Sequence, residues 1–375
     1  MRLLSMMARL PAGGRARFWI GFATSAAALL VIAPAFMSDF RLSLLAKFLC
    51  FAIVAVGISL AWGHGGMLVL GQGIFFGLGG YSMGMFLKLD EAPAGQLPDF
   101  MTWSGVEHLP VLWEPFQHAW FAVGAAIVIP VVLATLLGLL VFRRGVRTAY
   151  FAILSQALAA AFVILLVGQQ GLTGGTNGLT NFQSFFGLTL ADPANQRILY
   201  FAIAIALGAV FLLARQLVVS RYGRLLVAVR DAETRVRFLG YDPATIKVVA
   251  YAAAAGMAGL AGALFVPVVG IISPALLGVV PSLEMVVWVA VGGRASLAGA
   301  VVGALLVNYA KTGLSERFPS AWTYVQGLLF VVVIVLLPKG LAGVGEILRS
   351  RIPRPRLAGG TAAELSTSPV ERRPA

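Results

Sequence analysis

The 375-residue chain is 59% hydrophobic and 11% charged, carries a formal net charge of +13 and has a mean hydropathy of +0.90. Recurring apolar runs of about 20 residues exclude a soluble domain and read as membrane spans. The positive charge does not point to nucleic acid, because lysines and arginines gather in short gaps between those runs, and a lone cysteine, Cys50, excludes an internal disulfide.

Arg2, Arg9, Arg15 and Arg17 precede the first run. They resemble the basic start of a signal peptide, but no small-residue cleavage site follows, so 18–36 is expected to stay as a signal-anchor helix behind a cytoplasmic segment 1–17. Further spans are expected at 43–62, 67–87, 119–142, 150–167, 198–218, 247–269, 283–294, 295–311 and 321–338. The fold class is therefore all-α, a polytopic integral membrane protein of about ten transmembrane helices within 18–338. The eighth and ninth spans are short and share one apolar run. Arg294 beside Gly292 and Gly293 marks either a tight hairpin or a broken helix, because charge and unwound backbone at membrane depth must be buried or line a cavity.

Charge fixes the orientation of this scheme. With a cytoplasmic N-terminus, segments 1–17, 143–149, 219–247 and 339–375 lie inside and hold 20 of the 28 lysines and arginines. The opposite-side loops are acidic on balance, so both termini are expected in the cytoplasm. The outer segment 88–118 alternates prolines with Phe100, Trp103, Trp113 and Phe116, a composition that suits either a small packed cap or an interfacial aromatic belt. The stretch 339–375 is rich in Pro, Arg and Ser without apolar period and is expected to be a largely disordered tail.

Segment 219–247 is too polar to span. Leu225, Val229, Ala232, Val236 and Leu239 step by three and four residues and predict an apolar stripe on a short helix. Asp231 with Arg235, and Glu233 with Arg237, are acid-before-base pairs at i,i+4. Gly240 suits a left-handed helix stop, and Asp242-Pro243 supplies an N-cap and first residue for the next span.

Polar groups at membrane depth or at span ends include His64, Gln72, Ser155, Gln156, Gln169, Asn177, Asn181, Glu284 and Asn308. Gln72 and Glu284 are the preferred pathway candidates, and Asn177 and Asn181 also suit turns. Glycines 73, 77, 80 and 84 form a small-residue stripe, as do 256, 259 and 262, which favours close helix packing. The chain has no G-x-x-x-x-G-K-[ST] phosphate loop and no H-E-x-x-H motif, so it carries no device for ATP hydrolysis or zinc catalysis. His108 and His118 read as loop residues.

The stretch 220–264, opening "SRYGRLLVAVRDAETRVRFLGYDP", resembles the cytoplasmic coupling loop of bacterial ABC importer permeases, more narrowly the LivM branch of the branched-chain amino acid permeases. It departs from the generic Glu-Ala-Ala form of that loop, with Asp231-Ala232-Glu233. "VLGQGIFFGLGGYSMGMFLK" (69–88) and "GLTGGTNGLTNF" (171–182) are similar to a helix and an outer loop of the same family. The latter motif and the long 88–118 insert resemble the urea permeases of UrtC type. The resemblance covers about residues 40–345. It implies one of two different permeases in a bacterial inner-membrane ABC importer, served by two ATPase subunits that bind ATP and by a periplasmic binding protein. It implies no cofactor and no catalysis on this chain. Arg224, Arg230, Asp231, Glu233, Arg235 and Gly240 would couple to the ATPase. Gln72, Tyr81, Asn177, Asn181 and Glu284 would line the substrate path.

Urea or a close amide is the solute that this resemblance implies, and a small neutral amide would need amide or hydroxyl partners along its path rather than charges. A branched-chain amino acid permease and, in another class, a passive urea or amide channel are the rivals. An intramembrane enzyme would need paired catalytic groups, for which Glu284 and His64 are too little. The topology predicts that, with Cys50 replaced by alanine, a membrane-impermeant maleimide labels Glu107→Cys in intact cells and Arg224→Cys only after permeabilisation; labelling of Arg224→Cys from outside would invert the scheme.

Overall fold

The computed structural model describes residues 12–93, 96–146 and 148–317, together with 324, 327–328 and 340–343. Most of the expected tenth span (321–338), most of the tail and the first eleven residues lie outside these described residues. Among the described residues, seven helices are long and apolar enough to cross a membrane.

The first span, Phe18–Phe36, comprises α1 (Ala12–Ala27), a π-helical stretch Ala28–Ile32 and α2 (Ala33–Phe36). It sits at the periphery. Phe18 and Phe22 stack on Phe211, and the Tyr200 hydroxyl donates to the Leu29 carbonyl at 2.6 Å. Both partners belong to α9, introduced below.

Three consecutive apolar segments build the centre. Helix α3 (Asp39–Ile58) runs on as a π-helical turn Ser59–His64. After an irregular stretch 65–71 comes α4 (Gln72–Glu91), so the third expected span begins five residues later than the apolar run suggested. An outer segment holds α5 (Asp99–Trp103) and a 3₁₀ turn Glu114–Gln117. Helix α6 (Ala119–Phe142) then returns across the bilayer. Helices α7 (Thr148–Gly168) and the single turn α8 (Gln170–Thr173) lead to an outer loop with strands β1 (Leu179–Thr180), β2 (Ser184–Phe185) and β3 (Leu188–Thr189). Helix α9 (Pro193–Val219) descends to the polar arm α10 (Arg221–Phe238), and α11 (Pro243–Val269) rises again. Strand β4 (Ile271–Ile272) pairs antiparallel with β1, and β2 pairs with β3. Among the described residues, the last two long helices are α12 (Val279–Gly292) and α13 (Leu297–Arg317).

The shared apolar run is a hairpin. Gly293 turns the chain at φ 108°, a conformation that a residue with a Cβ resists. The two helices then approach at glycine: a Cβ on Gly292 would strike the Gly299 carbonyl, and one on Gly303 the Trp288 carbonyl.

Helix α11 is the hub, packed against α3, α4 and α6. Its approach to α4 and α6 is at backbone distance. A Cβ on Gly79 would overlap the Gly259 carbonyl, one on Gly259 the Ala126 carbonyl, and one on Gly262 the Phe76 carbonyl. In lipid, where burying apolar surface gains little between helices, such close backbone packing is a main source of association. Large aromatic side chains fill the gaps beside the glycines, as where Phe75 and Phe151 meet Tyr251 edge-on.

Gly262→Leu is therefore expected to destabilise the fold by roughly 1–3 kcal/mol through overpacking, read as a lowered melting temperature in detergent. Gly124→Ala, where a Cβ meets nothing within 4 Å, should stay within about 0.5 kcal/mol of wild type.

Candidate functional site

The polar arm α10 starts with a cap: Ser220 accepts from the Gly223 amide. Leu226, Val229 and Val236 are buried, and the Tyr222 hydroxyl donates to the Ile246 carbonyl at 2.7 Å. Burial in that contact raises the Tyr222 phenol above its ordinary pKa. The arm ends as the sequence predicts. Gly240 adopts φ 84°, and Asp242 caps α11 by accepting from the amides of Ala244 and Thr245. A hydrogen bond from the Thr245 hydroxyl, then those amides, hold the Asp242 carboxyl below its ordinary pKa. That stabilisation is present above the ordinary carboxylate pKa and is lost as pH falls through the lower folded value.

Two expectations for this arm require correction. Ala232 has φ −154° and ψ 64°, so α10 is kinked there. The apolar stripe holds across the kink at Val229 and Val236 and fails at its end, where Leu239 is 74% exposed; Leu226 adds a core position that the stripe did not include. The kink also spoils the i,i+4 geometry across it. Asp231 pairs with its neighbour Arg230 at 2.8 Å, not with Arg235, and this hydrogen bond, chiefly, lowers the Asp231 pKa. Glu233 reaches Lys247 at 2.6 Å and keeps only a looser contact, 3.8 Å, with Arg237.

Arg230 does more than pair with Asp231. Its Nη1 donates to the Gly63 carbonyl at 2.6 Å, at the end of the first central helix. Gly63 in turn abuts the Arg294 carbonyl, which accepts from the Ser59 hydroxyl at 2.9 Å. The Arg294 guanidinium lies 5.4 Å from the Trp62 ring centroid, a cation–π contact. One residue, Gly63, thus joins the arm to the turn of the α12–α13 hairpin. Arg224, Arg235, Arg237 and Gly240 remain exposed, as do Phe238 and Leu239, so the tip of the arm is an apolar knuckle ringed by cations.

At the end of the bundle away from the arm, 88–118 packs as a cap. Phe100, Trp113 and Phe116 are buried, and Trp113 Nε1 donates to the Leu172 carbonyl at 3.0 Å. Trp103 stays 82% exposed. Lys88 is buried between Asp99 (3.3 Å) and the Asn181 carbonyl (3.4 Å). Beside it a cavity of about 110 Å³ is lined by Trp103, Ser104, Gln170 and Asn177, among others.

The candidate pathway residues do not converge. Gln72 and Tyr81 are two and a half turns apart on α4, hence on opposite faces. Gln72 ties α4 to α11 by donating to the Ala254 carbonyl at 2.9 Å. Its Oε1 and the Tyr81 hydroxyl are buried side-chain atoms without a partner among the described residues. Asn177 lines the outer cavity, and Asn181 sits at φ 60° as a turn residue. Glu284 is held bidentately by Lys311 at 2.7 and 2.8 Å, and Lys47 on α3 is close enough to feel both charges. Neither lysine stood out in the sequence, because the apolar runs end close to each, at 43 and 311, where a snorkelling side chain is ordinary; the helices themselves run on to Asp39 and Arg317 and set both lysines further in.

Apolar spans, a charged arm tied to a hairpin of membrane helices and a folded cap at the other end of the bundle are the architecture of a multi-pass membrane protein. Residues 40–337 match the family described as branched-chain amino acid transport system / permease component, and the chain belongs to that family. It is a transport component and not itself an enzyme. The high-affinity branched-chain amino acid transport system permease protein LivM of Escherichia coli (strain K12) is 27% identical over 342 residues, covering 84% of this chain and 73% of that protein. The permease protein LivH of the same organism is 22% identical over 315 residues, covering 79% and 92%. The autoinducer 2 import system permease protein LsrC of Salmonella paratyphi B is 25% identical over 221 residues, covering 56% and 60%. No solved structure matches the chain by the same standard.

Arg230→Gln should loosen the arm from Gly63. The bond is charge-assisted but partly exposed, so a cost of about 1 kcal/mol is expected, read as about five-fold faster hydrogen exchange of the α10 amides. Arg224→Gln, on the open face, should leave that exchange unchanged.

Proposed function

We propose that this chain is one of two permease subunits of an ATP-driven importer in a bacterial inner membrane, carrying a branched-chain or similar small amino acid inward. The observation that carries the reading is the continuous link from the exposed arm tip through Arg230 and Gly63 to the turn at Arg294. Separate ATPase subunits would grip the knuckle formed by Phe238, Leu239 and Gly240, with Arg224 and Arg235 on its flanks. Asp231 and Glu233 keep exposed side chains that the same partner would meet, while their bonds to Arg230 and Lys247 stiffen the arm. Motion of the arm would be passed to the hairpin as displacement of packed elements, in the way small shifts at an interface are amplified by rigid neighbours. A periplasmic binding protein would deliver the solute to the outer cap, where Trp103 and the cavity above Lys88 offer an exposed face. The names of the LivM and LivH relatives support an amino acid as solute.

A second reading, urea or a short amide, is favoured by the Gly-Gly-Thr-Asn-Gly-Leu-Thr-Asn loop and by the neutral, unpartnered Gln72 Oε1 and Tyr81 hydroxyl, which could serve an amide without charge.

Uptake of labelled leucine and labelled urea by vesicles holding the complete importer separates these. ATP-dependent leucine uptake is expected, abolished by Leu239→Asp with membrane insertion intact. ATP-dependent uptake of urea alone would establish the second reading, and urea flux that persists without ATP would make the chain a channel.

A further inference from the structure

Three charges lie together on one face built by α3, α12 and α13. Glu284 and Lys311 form a bidentate pair whose side chains are 15% and 36% exposed. Lys47 lies on α3, which packs against both α12 and α13, within range of the charges of that pair. The helices that carry these residues are in contact, and Phe48, next to Lys47, meets Tyr309, two residues before Lys311, with ring centroids 4.9 Å apart.

Their depth matters. Lys47 is eight residues from the Asp39 end of α3, about 12 Å along the helix axis, within the membrane-spanning helix rather than in the loop before it. Partly exposed charges at that depth cannot be solvated by acyl chains and mark a water-lined path or a covered interface. The cluster is also unbalanced. It holds two cations and one anion, and among the described residues no second carboxylate pairs with either lysine.

We infer that Lys47, Glu284 and Lys311 line the translocation path and that their excess positive charge receives the carboxylate of the transported solute. Lys47 is the group free to take it, since Glu284 engages Lys311. The inference rests on the importer reading above and narrows it to carboxylate-bearing solutes. A path lining fits better than a static contact because two of the three charges ride on the α12–α13 hairpin. The turn of that hairpin abuts Gly63, the carbonyl that Arg230 of the cytoplasmic arm holds. The ends of this chain of contacts are the arm tip and the charged cluster, so displacement of the arm reaches the charges.

The test uses the complete importer in proteoliposomes, with labelled leucine and labelled urea as probes and recovery of the second permease as the measure of assembly. Lys47→Met is expected to lower leucine uptake about ten-fold or more, the loss of one charge-assisted contact, with assembly unchanged, and Lys47→Arg to restore most of it. In a Cys50→Ala background, free leucine should slow maleimide alkylation of Lys47→Cys, whereas leucinamide, which lacks the carboxylate, should not. Normal leucine uptake by Lys47→Met overturns the inference. So does loss of the second permease from the Lys47→Met complex, which would give the carboxylate to that subunit. Wild-type uptake of urea without leucine defeats the amino acid reading and the inference together, whereas a wild type that carries leucine with an indifferent Lys47 defeats the inference alone.

Discussion

The backbone contact of α11 with α4 and α6 is the constraint on which the rest of the molecule depends. Where Gly79 meets Gly259, and Gly262 meets Phe76, there is no room for a side chain. Lipid gives apolar helices little reason to associate, so van der Waals contact at this range must hold them together. The consequence is geometric. With α11 fixed against α4 and α6, the segments at its two ends are fixed too: the capped arm at Asp242 on one side, and β4 on the other, where it pairs with β1 of the outer loop.

Around that hub the polar groups divide into three layers with different work. The inner layer is the junction at Gly63, where a short π-helical turn exposes a carbonyl to Arg230 and brings the backbone against Arg294. The middle layer is the Lys47, Glu284 and Lys311 cluster, set on helices that the hub leaves partly uncovered. The outer layer is the cap, in which Lys88 is buried against Asp99 while aromatic side chains fill the space between loops. A buried ion pair adds little to stability compared with apolar packing. Charges retained in a membrane protein therefore call for a role in contact or passage, and the middle layer has one in this account.

The kink at Ala232 shows how tertiary context reshapes a local pattern. Steps of three and four residues imply one straight amphipathic helix, yet Arg230 turns back to Gly63 while Glu233 reaches forward to Lys247. These two bonds pull on opposite sides of Ala232. A straight helix could not satisfy both, and the interior bonds prevail over the weak exposed i,i+4 pairs.

Much of this architecture was legible in the sequence. Apolar runs and charge asymmetry gave the helical class, most spans and the non-spanning arm, because hydrocarbon admits only backbone whose hydrogen bonds close within a helix or barrel. Gly240, Asp242 and Pro243 announced the arm's end through local backbone and capping chemistry, which depends on neighbours in sequence alone. The tertiary structure decided the rest. It made Arg294 the turn of a hairpin, placed Gln72 in the interior as a tie to Ala254, and set Gln72 and Tyr81 on opposite faces. It also drew Lys47 and Lys311 to Glu284 from positions 237 and 27 residues away in sequence: Lys47 lies on the first central helix, and Glu284 is reached only once the first and last central helices have packed together. Long-range juxtaposition follows from packing, and packing depends on shape in three dimensions, which periodicity along a single helix does not encode.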